Sequence, residues 1–148
     1  MLRITKETDY SIMLMAQFAE RPLGTIYNAR EVAERIGVPL PMVSKILRSL
    51  AREDILTSHR GASGGYSLTR PASETSVARI IRAIEGPISL VQCGSEPGVC
   101  GQESSCPTRV TWFRINQEIE QALERVPVSE MLATHDCDRP RNILQQLT

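Results

Sequence analysis

The sequence predicts a mainly α fold with a small β-hairpin wing: a winged helix-turn-helix domain, then a cysteine loop, then a long dimerisation helix. Three observations predict it. Amphipathic segments in the first 52 residues follow the order helix, short helix, sharp turn, helix. Two short strand-like runs, ILTSHR and GYSLTR, flank a glycine-rich GASG. Cys93, Cys100 and Cys106 crowd into CGSEPGVCGQESSC, just ahead of a long apolar-striped segment.

Residues 5–20 read as a helix, with Ile12, Met15, Ala16 and Ala19 at helical spacing and Thr5 or Thr8 as its cap. Pro22 and Gly24 end it. Asn28 followed by Glu31 is a capping-box arrangement that opens AREVAERIG, and Gly37 stops that helix. Pro39 and Pro41 punctuate a tight turn. Pro41 suits the first turn of PMVSKILRSLAREDI, where its missing N–H costs nothing. Val43, Ile46, Leu47 and Leu50 form the apolar face of this helix, leaving Ser44, Lys45, Arg48 and Arg52 on the others. The expectation is that Pro41 to about Ala51 enters a DNA major groove, with Pro41, Met42, Ser44, Lys45 and Arg48 as contacts.

The hairpin places Arg60 at its tip, with Ser63 and Gly64 beside it, suited to the minor groove or its phosphates. His59 can contact phosphate there or serve no ligand role. Residues 75–85, TSVARIIRAIE, read as another helix ended by Gly86-Pro87. A further helix starts near Pro107, striped by Val110, Phe113, Ile119 and Leu123 and broadened by Trp112, Ile115 and Ala122. So broad a face predicts packing against its own domain and a partner subunit together, with a wholly intramolecular core as the alternative. Pro127 ends it, and SEML reads as one more turn. The expected domains are 1–85 (winged helix-turn-helix), 86–107 (cysteine loop), 108–133 (dimerisation helix and a short following helix) and 134–148 (a mobile tail).

Length and composition set limits. The 148 residues amount to one domain with an extension, and 41% hydrophobic content supports a core. Net charge is zero, yet residues 1–82 carry 12 Lys/Arg against 8 Asp/Glu and residues 83–148 carry 5 against 9. A basic front suits contact with phosphates. No apolar run approaches the ~20 residues of a membrane span, and the polar start MLRITKETDYS is not a signal peptide, so a cytoplasmic chain with no membrane contact is expected. In a reducing compartment, clustered thiols point to a metal, an iron–sulfur cluster or a redox group. Spacings of six and five intervening residues match neither the paired knuckles of structural zinc sites nor the ferredoxin run. No Ser/His/Asp constellation, phosphate loop or paired carboxylates support an enzyme or a small-molecule substrate.

The wing motif RGASGGYSL, a helix ending AIEG, the three-cysteine loop and a helix containing W-x3-N together resemble one family of bacterial repressors over about residues 1–133. It is the family of the iron–sulfur regulator IscR and the nitric-oxide sensor NsrR. CPTRVTWFRIN is most similar to the branch that regulates the Suf iron–sulfur assembly operon. The resemblance implies a homodimer, operator DNA as partner, and a cluster on Cys93, Cys100 and Cys106, with 4Fe–4S favoured over 2Fe–2S. IscR-like members carry a histidine three residues after the third cysteine, where this chain has Arg109, which cannot ligate iron. By analogy with NsrR-like members, the fourth ligand is then Asp9, or failing that Glu7, of the partner subunit's first helix. Cys137 and His135 are further candidates should the tail fold back, and the expectation is that each is an ordinary tail residue. A zinc site or thiol–disulfide switch on the same fold, and an iron–sulfur carrier, remain the alternatives.

Overall fold

The computed structural model describes residues 4–91, 98 and 100–134. The expectations for Cys93, His135 and Cys137 lie outside the described residues. Among the described residues, five α-helices and one two-stranded antiparallel hairpin follow the predicted order: α1 Lys6–Ala19, α2 Ala29–Ile36, α3 Leu40–Arg52, β1 Leu56–His59, β2 Gly65–Leu68, α4 Val77–Glu85 and α5 Arg109–Glu124, closed by a 3-10 segment, Val128–Thr134.

Local chemistry sets most boundaries. The Thr5 hydroxyl accepts the Thr8 N–H at 3.3 Å to start α1. The Asn28 side chain accepts the Glu31 N–H at 2.8 Å to start α2. The Glu31 carboxylate turns to Arg35 at 3.2 Å, so the capping interaction runs from Asn28. Gly37 ends α2 at φ +68°, a left-handed conformation that glycine adopts without strain. At the end of α3 the left-handed residue is Asp54 (φ 56°), and its N–H reaches the Ala51 carbonyl at 3.2 Å while the Ile55 N–H reaches Leu50 at 2.9 Å. That pair of bonds is a Schellman closure built without glycine. Arg79 of α4 donates to the Glu53 and Asp54 carbonyls at 3.4 and 3.2 Å, placing a cation at the negative end of α3.

The core sits between α1–α4 and the hairpin. Val43, Ile46, Leu47 and Leu50 are fully buried against Leu14, Met15, Val32, Leu56 and Ile80. The inner face of α1 differs from the expected Ile12, Ala16 and Ala19. Leu14, Met15 and Phe18 are buried along with Thr8 and Ser11, and Ile12, Ala16 and Ala19 are only half-buried. Two buried polar residues break the apolar stripe here: Ser11 donates to the Thr8 carbonyl at 2.6 Å, and Thr8 donates to Glu85.

The strands pair Leu56 with Leu68 and His59 with Gly65. Tyr27 adds an isolated bridge to Tyr66 through bonds of 2.9 and 2.8 Å. This approach requires Gly65, because a Cβ there would lie 2.3 Å from the Tyr27 carbonyl oxygen. After α5 the chain returns to the winged domain. Val77 and Val128 bond across to Val126 and Thr75, and Val128 is buried in the core.

Candidate functional site

On α3, Pro41, Lys45 and Arg48 are exposed, Ser44 is half-buried, and Met42 packs against the core. The Arg48 Nε donates to the Ser44 carbonyl at 3.0 Å, which lays its guanidinium along the helix. The Lys45 side chain is 62% exposed, and its ammonium pairs with Glu7 of α1 at 2.7 Å. In the wing, Arg60 and Ser63 are exposed. The tip turns through a Gly64 N–H to Gly61 carbonyl bond of 3.0 Å. A Cβ on Gly64 would lie 2.5 Å from the His59 carbonyl oxygen, so the tip requires glycine. His59 is half-buried, and its Nε2 shares a hydrogen bond of 2.8 Å with the Ser67 hydroxyl, stapling the hairpin across its strands.

The cysteine loop hangs between α4 and α5. Cys100 and Cys106 are free thiols, both half-buried. The loop folds through successive turns, Glu103 N–H to the Cys100 carbonyl at 3.0 Å and Ser105 N–H to Gln102 at 3.1 Å. Glu103, only 14% exposed, accepts from the Gly98 N–H and from Arg109 at 2.7 Å. Arg109 therefore organises the loop from the position where the resemblance expects a ligand histidine. The Thr108 hydroxyl, 3.4 Å from the Cys106 sulfur, is the main influence holding that thiol below its ordinary pKa; the nearby backbone amides and Arg109 act in the same direction. A lowered pKa favours thiolate, the form that ligates metals. Free thiols on one loop, one of them biased toward thiolate, are donors of the kind an iron–sulfur cluster takes. Among the described residues no three His, Cys, Asp or Glu side chains form a metal-sized group.

Two contacts that sequence reasoning missed fix the entry of this loop. Asn116, the one buried residue of α5, accepts the Leu90 N–H at 3.0 Å and donates to the Ile88 carbonyl at 2.8 Å. The W-x3-N motif pointed at this residue without indicating its partners. Glu85, at the end of α4, accepts from the Thr5 N–H at 3.2 Å, the Thr5 hydroxyl at 2.9 Å and the Thr8 hydroxyl. These bonds pin the first turn of α1, where Asp9 is exposed and Glu7 half-buried, to the root of the cysteine loop. On α5, Val110, Trp112, Phe113 and Ile115 are exposed. Among the described residues no helix is long and apolar enough to cross a membrane.

Comparison with known proteins places this geometry. Residues 4–134 match the Rrf2 family, described as iron-dependent transcriptional regulators. A proposed HTH-type transcriptional regulator of Mycobacterium tuberculosis is 29% identical over 133 residues, covering 88% of this chain and 81% of that one. Another, from Azotobacter vinelandii, is 25% identical over 135 residues, covering 91% and 82%. Among solved structures, CymR, the global cysteine regulator of B. subtilis, superposes with a TM-score of 0.69 at 22% identity, covering 90% of this chain and 98% of that one. IscR of T. potens superposes with a TM-score of 0.63 at 25% identity, covering 89% and 87%.

Proposed function

We propose, from the premise that this chain belongs to the Rrf2 family of transcriptional regulators, that it is a repressor whose operator affinity is set by an iron–sulfur cluster on Cys93, Cys100 and Cys106. Its relatives are DNA-binding transcriptional regulators and not enzymes. The finer reading rests on one observation. The loop that carries the free thiols is rooted on α4 of the winged domain at one end and on α5 at the other.

A cluster there would supply a centre sensitive to oxygen, nitric oxide and iron supply. The chain's own residues would do the rest. Glu103 and Arg109 shape the loop, Asn116 holds its entry, and Cys106 is biased toward its ligating form. Of the two carboxylates of the first helix, Asp9 is exposed and Glu7 is engaged with Lys45, so Asp9 is our fourth ligand, donated to the partner subunit's cluster. The homodimer is supported by the apolar side chains that α5 presents to water. Lys45, Arg48 and Pro41 of α3, with Arg60, Ser63 and Gly64 of the wing, would contact the operator. The division into a DNA-reading domain (1–85), cluster loop (86–107) and dimerisation segment (108–133) follows. A 4Fe–4S cluster and control of iron–sulfur assembly genes complete the reading.

The test is anaerobic purification with a visible spectrum, followed by operator titration. Serine at Cys93, Cys100 or Cys106 is expected to abolish the charge-transfer bands, and Cys137→Ser to retain them. Bound zinc with a colourless spectrum, or a reversible disulfide, would replace the cluster by the alternative switch on the same fold. Lys45→Ala and Arg48→Ala are each expected to weaken operator binding by about 1–3 kcal/mol. Arg60→Ala is expected to flatten the salt dependence.

A further inference from the structure

We infer that Glu7 is a specificity-determining residue of DNA recognition: it neutralises Lys45 on the reading helix, so that Lys45 reads base edges and does not serve as a general phosphate anchor. The inference rests on the DNA-reading placement of α3 and assigns Glu7 a role apart from iron.

The pair joins residues 38 positions apart at 2.7 Å, and its two ends differ in freedom. The Glu7 side chain is 23% exposed and that of Lys45 62%. The carboxylate is the fixed end. It lies in the first turn of α1, where the helix dipole favours a negative charge. That turn is held by its Thr5 cap and by the Glu85 bonds to Thr5 and Thr8. The ammonium is the free end, on a flexible stem at the exposed face of α3. Arg48, one turn on, donates its Nε to a backbone carbonyl, a neutral partner that leaves its positive charge for the operator.

Lysine has three N–H donors. With one committed to Glu7, two remain for acceptors on a base edge. The net charge of the pair is zero, so meeting a phosphate through Lys45 releases no additional counterion unless the pair breaks. Non-specific DNA, which offers phosphates without matched base edges, gains nothing from Lys45 while Glu7 holds it. An operator with a guanine at the right step can still accept its hydrogen bonds. Glu7 therefore lowers binding to arbitrary sequence more than binding to the operator.

The experiment measures operator and non-operator duplex affinities across a salt series for the full-length protein, purified anaerobically, as wild type, Glu7→Gln, Lys45→Ala and the double variant. Glutamine keeps the size of Glu7 and leaves the cap of α1 intact. Glu7→Gln is expected to tighten non-operator binding about two- to fivefold, the range of an exposed ion pair. It should also steepen the salt slope by about 0.9 per protomer, one further phosphate neutralised. The operator to non-operator ratio should fall, and the same change made in the Lys45→Ala background should be silent. If Lys45→Ala weakens operator binding while Glu7→Gln leaves the non-operator affinity and salt slope at wild-type values, the inference is overturned and the DNA-reading placement stands. If Lys45→Ala changes neither duplex, the placement of α3 falls and takes the inference with it.

Discussion

The inner face of α3 and the outer face of α5 carry similar side chains in opposite surroundings. Val43, Ile46, Leu47 and Leu50 are fully buried by α1, α2, α4 and the hairpin. On α5, Val110 is 81% exposed and Phe113 59%, with Trp112 and Ile115 beside them. Burial of apolar surface contributes about 25 cal/mol per Å², so the first face stabilises this chain and the second only begins to do so when something covers it. The attachments differ as well. The α1–α4 unit is held by interdigitated aliphatic side chains. Helix α5 is held to that unit largely by polar contacts, with Arg82 pairing to Glu120 at 2.6 Å and to Glu124, and Asn116 holding the segment that leads into the thiol loop. A closed unit thus carries the residues proposed to read DNA, and an open one carries the thiols and the uncovered apolar face proposed to meet a second copy.

The largest expected effect breaks the closed unit. Leu47→Ala should cost about 2–5 kcal/mol in denaturant unfolding, because a fully buried side chain leaves a cavity. Phe113→Ala should cost the single chain little and instead shift the protein toward monomer in sedimentation. Equal loss of unfolding stability in both variants would show that the face of α5 is already closed. A smaller effect is expected at the hinge between the units. Asn116→Ala leaves the Ile88 and Leu90 backbone groups without that partner, a cost of about 1–3 kcal/mol. Faster hydrogen exchange at Leu90 without a change at Leu47 would confine the loss to the loop entry. Exchange rising at both would mean the two units open together.

Most of the closed unit was legible in the sequence because its signals are local. Asn28, Gly37, Pro41 and the glycines after Arg60 act within a few residues of themselves, and they placed α2, α3 and the wing. The face of α1 was misjudged because Thr8 and Ser11 are buried, and Thr8 depends on Glu85, 77 residues away. The Tyr27 bridge, the return of Val128 to the core and the Arg79 cap on α3 are long-range contacts of the same kind. In the site, the exposure of Lys45 and Arg48 followed from helical spacing. The Glu7 pairing and the Glu103–Arg109 contact could not, because they depend on where other elements pack.

The smallest effect sharpens the link between the units. Desolvation pushes the Glu85 carboxyl up, but the bonds it accepts from the Thr8 hydroxyl, the Thr5 N–H and the Thr5 hydroxyl more than offset this and hold it below the ordinary carboxylate range. A depressed folded-state pKa contributes stability that is present above the ordinary carboxylate value and lost as pH falls through the folded one. The hold of α4 on the start of α1 should therefore be intact at neutral pH and released in acid. Glu85→Gln should slightly lower neutral stability and flatten the acid limb of a melting-temperature profile. An acid limb parallel to wild type would remove Glu85 from the link.

On the proposed reading, the thiol loop of the open unit governs what the closed unit does on DNA. The most direct measurement of this is operator affinity at one fixed salt concentration, taken anaerobically on cluster-loaded protein and again on the same preparation after cluster removal. Coupling between sites is typically about 1–3 kcal/mol, so the two affinities are expected to differ by roughly 5- to 150-fold. Equal affinities for every operator tested would contradict the claim and leave a regulator whose thiol loop is purely structural.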